Sequence, residues 1–204
     1  MKSHHILLRL TLLALSCKKD DPVAPTDPTP IYPDSIRAGQ ETGVGIHYVD
    51  FSPDLAFNVD PRGGMLSDSI EIDMDANSTP DFMLTYYHSS FYQLGSTTID
   101  LQIRPLSNNK VCVASDTDLV APLLLNDSIS SSNNWSGSKV LLYSYNWSMS
   151  GSSSTDGNFG GNDSNNDHYI GVQIDHDGHP CYGWIHLHGI EMDKYAITTE
   201  YFDQ

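Results

Sequence analysis

The stretch that best predicts how this chain folds is Ile72-Asp73-Met74-Asp75-Ala76-Asn77-Ser78-Thr79-Pro80-Asp81-Phe82. Counted from Asp73, its Asp and Asn side chains stand at relative positions 1, 3, 5 and 9. Apolar, strand-like runs flank it on both sides. The pattern predicts two β-strands joined by a turn whose oxygen atoms can hold a cation.

This turn is a candidate Ca²⁺ site. Calcium takes about six to eight oxygen ligands, and alternate residues of a tight turn project their oxygens toward one point. The predicted ligands are the side chains of Asp73, Asp75, Asn77 and Asp81 and the carbonyl of Thr79. Calcium is therefore the one cofactor that the sequence predicts.

The turn departs from the EF-hand pattern at two positions. Ser78 stands where that pattern has glycine for a sharp bend, and Leu84 stands where it has a bidentate glutamate. The turn more closely resembles the shorter D-x-D-x-[DN]-G-x-x-D turns of secreted β proteins. The alternative to a calcium site is an Asx-rich turn, whose side chains accept hydrogen bonds from their own backbone.

The composition favours an all-β protein. The chain has 204 residues, of which 39% are apolar, enough for one domain with a substantial core. All but four of its 26 acidic residues are aspartate, which favours turns and hard-cation sites over helices. The formal net charge of −16 argues against nucleic acid as a partner, because an acidic surface repels phosphates.

Short runs rich in β-branched and aromatic residues recur from Ile36 to Gln204, separated by Gly, Pro, Asn, Asp and Ser. No sustained helical period is present. The pattern predicts one antiparallel β-sandwich over residues 36–204, of the jelly-roll kind. In the polar region Asn126–Asp167, only Val140–Trp147 is predicted as a strand, and the rest is expected to form surface loops.

Residues 1–16 have the features of a signal peptide. A short basic start leads into the apolar run Ile6–Leu15, which is too short to span a bilayer. The sequence Leu-Ala-Leu-Ser-Cys, from Leu13 to Cys17, resembles the lipobox of bacterial lipoproteins, in which the cysteine becomes the acylated first residue. The alternative is an ordinary signal peptide that happens to contain a cysteine.

Residues 17–35 are predicted to form a lipidated tether. Cys17 is followed by Lys18-Lys19-Asp20-Asp21, which resembles the export tag of Bacteroidota-type surface lipoproteins. The segment Pro22–Ser35 holds five of the eleven prolines and is expected to be an extended spacer. The resemblance implies a protein anchored by lipid in the outer membrane and exposed at the cell surface.

A second stretch predicts a hairpin near the C-terminus. The strand-like runs 167–174 and 181–187 flank the turn pair Asp177-Gly178. Their sequences, Tyr-Ile-Gly-Val and Tyr-Gly-Trp-Ile, resemble the C-terminal hairpin of a broad, largely uncharacterised group of bacterial surface β-sandwich proteins, in which an Asp-rich turn often precedes the hairpin. The chain departs from that group at Ser78 and Cys181. The resemblance implies fold and location, and it carries over no catalytic residue.

Cys112 and Cys181 are the cysteines that remain once Cys17 is set aside. In a protein outside the cytoplasm, such a pair is a candidate disulfide. The alternative is two separate buried thiols.

Four histidines around the C-terminal hairpin suggest a zinc site. His186 and His188 alternate on one strand, and His176 and His179 lie across the hairpin turn. Alternating histidines on a strand can bind Zn²⁺ when a third ligand approaches. Hydrogen-bonded or solvent-facing histidines without a metal are the alternative.

The sequence favours a binding or structural role at the cell surface, through contact with glycan or with another surface protein. Trp135, Tyr145 and Trp147 are candidate ligand-binding residues, because exposed aromatic rings can stack on sugars. One alternative is a glycan-acting hydrolase that uses paired aspartates. The other is a purely structural envelope component. We find no nucleophile elbow and no phosphate-binding glycine loop, so no catalytic residue is predicted.

Overall fold

The computed structural model describes residues 31–58, 64–91, 95–115, 117–159, 167–188 and 191–199. The predicted signal peptide, Cys17 and most of the predicted tether lie outside these residues. Every regular element within them is a β-strand. The strands are β1 (Ser35–Arg37), β2 (Ile46–Ala56), β3 (Gly64–Ile72), β4 (Phe82–Phe91), β5 (Ser96–Pro105), β6 (Lys110–Cys112), β7 (Pro122–Leu123), β8 (Ser128–Ser130), β9 (Trp135–Ser136), β10 (Val140–Ser148), β11 (Ser153–Gly157), β12 (Asp167–His176), β13 (His179–His188) and β14 (Glu191–Thr198).

Over the described part of the chain these strands form three antiparallel sheets. A five-stranded sheet has the order β11-β10-β5-β4-β3. A seven-stranded sheet has the order β2-β14-β13-β12-β6-β9, with β7 also paired to β12, and a two-stranded sheet pairs β1 with β8. The predicted all-β, antiparallel sandwich is confirmed.

The main core lies between the five-stranded and seven-stranded sheets. Leu84 and Ile103 of the first sheet are fully buried there, as are Val172 and Ile185 of the second. Each buried aliphatic side chain of this size contributes about 1.5–3 kcal/mol relative to an exposed one. Packing of the two large sheets is therefore the main source of stability.

A second, smaller core covers the other face of the seven-stranded sheet. Trp184 of β13 is completely buried there, together with Ile36 of β1 and Ile129 of β8. Its indole N–H donates to the carbonyl of Gln40 at 3.2 Å. Because Ile185 faces the main core, β13 is buried on both faces, which explains its nearly continuous apolar sequence.

The polar region Asn126–Asp167 contains more strand than the sequence predicts. Besides β10 it includes β8, β9 and β11. The sequence of β11, Ser-Ser-Thr-Asp-Gly, has no apolar alternation, and its extended conformation comes from pairing with β10. The packed chain also begins earlier than predicted, because β1 starts at Ser35 and Tyr32 packs against the main core.

Candidate functional site

The Asp-rich turn connects β3 to β4. Ile72 and Phe82 pair at its base, and the N–H of Asp81 donates to the carbonyl of Ile72 at 2.8 Å. Met74, inside the turn, is completely buried in the main core. This side chain anchors the turn to the end of the sandwich, so packing as well as backbone hydrogen bonding positions its carboxylates.

Three of the five predicted calcium ligands converge. Asp73, Asp75 and Asp81 each offer a carboxylate oxygen, and these oxygens all lie within 4.8 Å of one another. Calcium binds oxygen at about 2.3–2.6 Å, so two ligands of one ion lie up to roughly 5 Å apart. The three carboxylates can therefore share one hard cation. Asn77 lies in the same turn, where its side-chain oxygen accepts the N–H of Thr79 at 2.7 Å.

The same carboxylates accept hydrogen bonds from within the turn. Asp73 accepts the N–H groups of Asn77 and Ser78, at 3.2 and 2.7 Å. Asp75 accepts the N–H and the side-chain amide of Asn77, at 3.1 and 2.7 Å. The Asx-type bonding that the sequence leaves as an alternative is thus present. It is compatible with cation binding, because a carboxylate has about four lone-pair positions.

The turn bends without glycine. Ala76 and Ser78 have φ angles of 58° and 70°. This left-handed region costs a residue with a Cβ atom about 1–2 kcal/mol. Ser78 thus adopts the conformation that glycine would take at this position, so the missing glycine strains the turn but does not prevent the bend.

Asp81 is the buried member of the carboxylate cluster, with 5% of its surface exposed. Its carboxylate accepts the N–H of Met74 at 2.8 Å and the side-chain amide of Asn109 at 3.0 Å. Burial raises the pKa of Asp81 and the nearby charge of Asp75 raises it further, whereas the two hydrogen bonds lower it. A bound cation would favour the charged form and offset the cost of burying it.

Two of the three predicted aromatic residues share a surface. Tyr145 and Trp147 alternate along β10 and therefore project from the same face of the five-stranded sheet. Trp147 is 40% exposed and Tyr145 is half-buried. Trp135 lies on β9 in the other large sheet, where its ring packs 5.9 Å from that of Tyr182. Trp135 is therefore part of the second core and does not join the other two.

Polar groups lie beside the two rings of β10. Strand pairing places Thr97 opposite Trp147 on one side and opposite Ser90 on the other. The hydroxyl oxygens of Ser90 and Thr97 lie 3.4 Å apart. The adjacent row on the same face contains Tyr145, Ile99 and His88. We call the surface formed by Trp147, Tyr145, Thr97, Ser90 and His88 the aromatic face.

The predicted disulfide between Cys112 and Cys181 does not form. Both thiols are buried, but Cys181 belongs to the main core, whereas Cys112 lies beside Gly171 on the opposite face of the seven-stranded sheet. A disulfide requires the two Cβ atoms to approach within about 4.5 Å, which a sheet between them prevents. The alternative of two separate buried thiols is correct. Burial raises the pKa of the Cys112 thiol to about 11.

The four histidines considered for a zinc site fall into two groups. His186 and His188 lie at one end of β13, where His186 packs against Tyr169 and its Nδ1 lies 2.5 Å from Asp193 Oδ1. His176 and His179 lie at the other end of the hairpin and pair directly across it. The four therefore do not form one site.

A cavity of about 180 Å³ lies between the Asp turn and the β12–β13 hairpin. Asp75, His176 and Cys181 line it, and Asp75 Oδ2 lies 3.9 Å from His176 Nδ1. The ring of Tyr32 stacks on that of His179, with centroids 5.0 Å apart. The grouping of Cys181 and Asp75 with His176 was not predicted, because Cys181 was considered only as a disulfide candidate or as a separate buried thiol. The sequence feature that could have predicted this group is the alternation of His179 and Cys181 on one strand, with His176 on the partner strand.

Comparison of the chain with protein-family models, with curated proteins and with solved structures finds no match. Among the described residues, none belongs to a helix long and apolar enough to cross a bilayer. The resemblance to Bacteroidota-type surface lipoproteins therefore stays a prediction, as do the lipid anchor and the outer-membrane location.

Proposed function

We propose that this protein is a lipid-anchored surface protein that binds glycan through the aromatic face, with Ca²⁺ fixing the Asp turn. The observation that carries the proposal is the placement of Tyr145 and Trp147 on one face of β10, with Trp147 40% exposed. Its acidic charge of −16 favours an uncharged ligand over nucleic acid.

The chemistry of the aromatic face suits a sugar. A pyranose ring has an apolar face of C–H groups, which can pack on an indole or phenol ring, and a rim of hydroxyls that require hydrogen-bonding partners. The hydroxyls of Ser90 and Thr97 and the imidazole of His88 lie on the same face as the rings. Stacking and hydrogen bonding are thus available side by side on one sheet.

A glycan-array screen of the full chain, with Ca²⁺ and with chelator, tests the binding role. Retained glycans should lose at least about tenfold in affinity on Trp147→Ala, since stacking rings rank among the dominant contacts of binding sites. Tyr87→Ala is the matched control, because Tyr87 projects from the opposite face of the same sheet and should leave binding unchanged.

Each other outcome of the screen has a defined meaning. Retention that survives Trp147→Ala would place the ligand elsewhere and overturn the proposed site. An array without any retained glycan would favour a structural or protein-binding role. Release of shorter sugars from a retained glycan would favour the hydrolase alternative.

The anchor is tested at Cys17. Cys17→Ser should abolish fatty-acid labelling and release the protein from the membrane fraction, whereas Cys112→Ser should leave both unchanged because Cys112 is buried. Membrane association that survives Cys17→Ser would contradict lipid anchoring. Protease treatment of whole cells then distinguishes surface exposure from an inward orientation.

A further inference from the structure

The tip of the β12–β13 hairpin gathers three metal-ligating side chains on one face. A two-residue turn, Asp177-Gly178, with φ angles of 51° and 84°, sets the register so that His176 pairs with His179. Directly paired residues project to the same side of a sheet, and Cys181 follows His179 by two residues. His176, His179 and Cys181 therefore project from the same face of the sheet, where Cys181 is buried in the main core and His179, at the tip, is exposed.

A carboxylate lies across a cavity from two of these side chains, His176 and Cys181, whereas His179 does not line that cavity. Asp75, in the Asp turn, lies with its Oδ2 atom 3.9 Å from His176 Nδ1. Asp75, His176 and Cys181 all line the cavity of about 180 Å³. A cavity of this volume has room for an ion with its ligands. Cys181 is buried, with 4% of its surface exposed, so its sulfur would be shielded from bulk water.

We propose that His176, His179, Cys181 and Asp75 form a site for a borderline divalent metal ion such as Zn²⁺. Two imidazoles, a thiolate and a carboxylate make a four-ligand set of the kind that tetrahedral zinc takes. Calcium, by contrast, takes oxygen ligands only. The sulfur and nitrogen donors separate this site chemically from the carboxylate cluster of the Asp turn, although Asp75 borders both.

Among the described residues, the donor atoms of this set do not lie within 4.8 Å of one another as those of the Asp turn do, so binding requires a local rearrangement. The His179 ring is stacked on Tyr32, and it must leave that contact to reach an ion in the cavity. The Cys181 thiol must lose its proton on coordination, so binding releases a proton and strengthens as the pH rises. The metal would then join β12, β13 and the Asp turn.

Cobalt(II) is the probe, because a thiolate ligand gives Co²⁺ a charge-transfer absorption that nitrogen and oxygen ligands do not give. The titration uses the full chain carrying Cys17→Ser, so that Cys17 contributes no thiol, in calcium-free buffer, because Ca²⁺ in the Asp turn would compete for Asp75. Co²⁺ bound to the carboxylate cluster gives no thiolate band and does not obscure the result. We expect the sulfur-to-cobalt band with one equivalent of Co²⁺ and its loss on addition of Zn²⁺. Absence of this band overturns the proposal.

Two pairs of variants locate the ligands. Cys181→Ser should remove the band, whereas Cys112→Ser, which alters the other buried thiol, should retain it. His179→Gln should weaken Co²⁺ binding at least about tenfold, whereas His188→Gln, an exposed histidine at the far end of the same strand, should not. A band that survives Cys181→Ser, or equal effects of the two histidine changes, would place the metal elsewhere. His179 is exposed, so this second pair remains informative if Cys181→Ser fails to fold.

Discussion

The side-chain amide of Asn109 donates to the carboxylate of Asp81 at 3.0 Å, and it lies 3.2 Å from the Asp81 carbonyl oxygen. On its other side, the Asn109 side-chain oxygen accepts the N–H of Asp175 at 3.1 Å. One buried amide thus links the Asp turn of the five-stranded sheet to β12 of the seven-stranded sheet. It fixes a candidate calcium ligand relative to both halves of the sandwich.

Asn109→Ala should lower the free energy of unfolding by about 2 kcal/mol, because it removes a hydrogen-bonding partner from the buried Asp81 carboxylate. Asn108→Ala is the matched control, because Asn108 is exposed and its amide lies 3.4 Å from the carboxylate of Asp175. This substitution should lower the free energy of unfolding by less than about 0.5 kcal/mol. Denaturant unfolding measures both values. Equal losses would show that the link through Asn109 adds little stability.

Calcium should raise the melting temperature of the wild-type protein. At a concentration of about one hundred times the dissociation constant, a bound ion adds roughly 2.7 kcal/mol to the free energy of unfolding. Asp75→Asn should abolish this gain, whereas Asp156→Asn, at an exposed position on β11, should preserve it. Calorimetry with calcium and with chelator provides the comparison. If calcium has no effect on the wild type, the carboxylates serve only to accept hydrogen bonds within the Asx turn, and the calcium site is wrong.

The raised pKa of Asp81 predicts a specific pH dependence. Burial makes the folded state hold this proton more tightly than the unfolded state, where the pKa has its ordinary value of 3.8. The stability that Asp81 contributes is therefore fully present below pH 3.8 and is lost as the pH rises through the raised folded value.

This dependence is measured as the difference in unfolding free energy between wild type and Asp81→Asn across the acid range. In chelator, the wild type should lose stability relative to the variant as the pH rises above 3.8. In calcium the trend should reverse, because the ion binds the charged carboxylate. A difference that does not vary with pH would show that burial does not perturb Asp81.

Backbone strain can be tested by adding a glycine to the Asp turn and by removing one from the β12–β13 turn. Ser78→Gly should stabilise the protein by about 0.5–1 kcal/mol, since glycine relieves the left-handed strain at φ 70° but gains entropy when unfolded. Gly178→Ala, at φ 84°, should destabilise it by a similar amount, and a Cβ atom there would meet nothing within 4 Å. Thermal unfolding of both variants measures the two effects. Changes of the same sign would contradict this account.

The alternation of apolar residues was sufficient to predict the long strands and the sandwich. Residues two apart on a strand share a face, so the same alternation explains why Tyr145 and Trp147 lie together while Trp135, also named as a candidate, does not join them. It failed for β8, β9 and β11, whose short polar sequences become strands only through pairing with a partner. Such pairing depends on residues distant in sequence, so a local pattern cannot reveal it.

The two cysteines show a second reason why sequence alone does not predict side-chain contacts. Whether Cys112 and Cys181 can meet depends on which face of the seven-stranded sheet each occupies, and that depends on the register of β6 against β12. No turn between β6 and β12 fixes that register locally. The register of β12 against β13 follows from the two-residue turn Asp177-Gly178. The sequence was therefore sufficient to predict that His176 and Cys181 share a face.

The docking of Tyr32 shows at which end of the sandwich the N-terminal segment joins the domain. Tyr32 packs at the end of the sandwich that carries the Asp turn, where Phe82 pairs with Pro105. Along β5, Thr97 lies roughly 25 Å from Pro105, and it stands opposite Trp147. With Cys17 acylated, the Asp turn would be membrane-proximal and the aromatic face membrane-distal. Under the proposed anchoring, the length of the sandwich would separate the aromatic face from the lipid, so a shortened tether should leave glycan binding by whole cells unchanged.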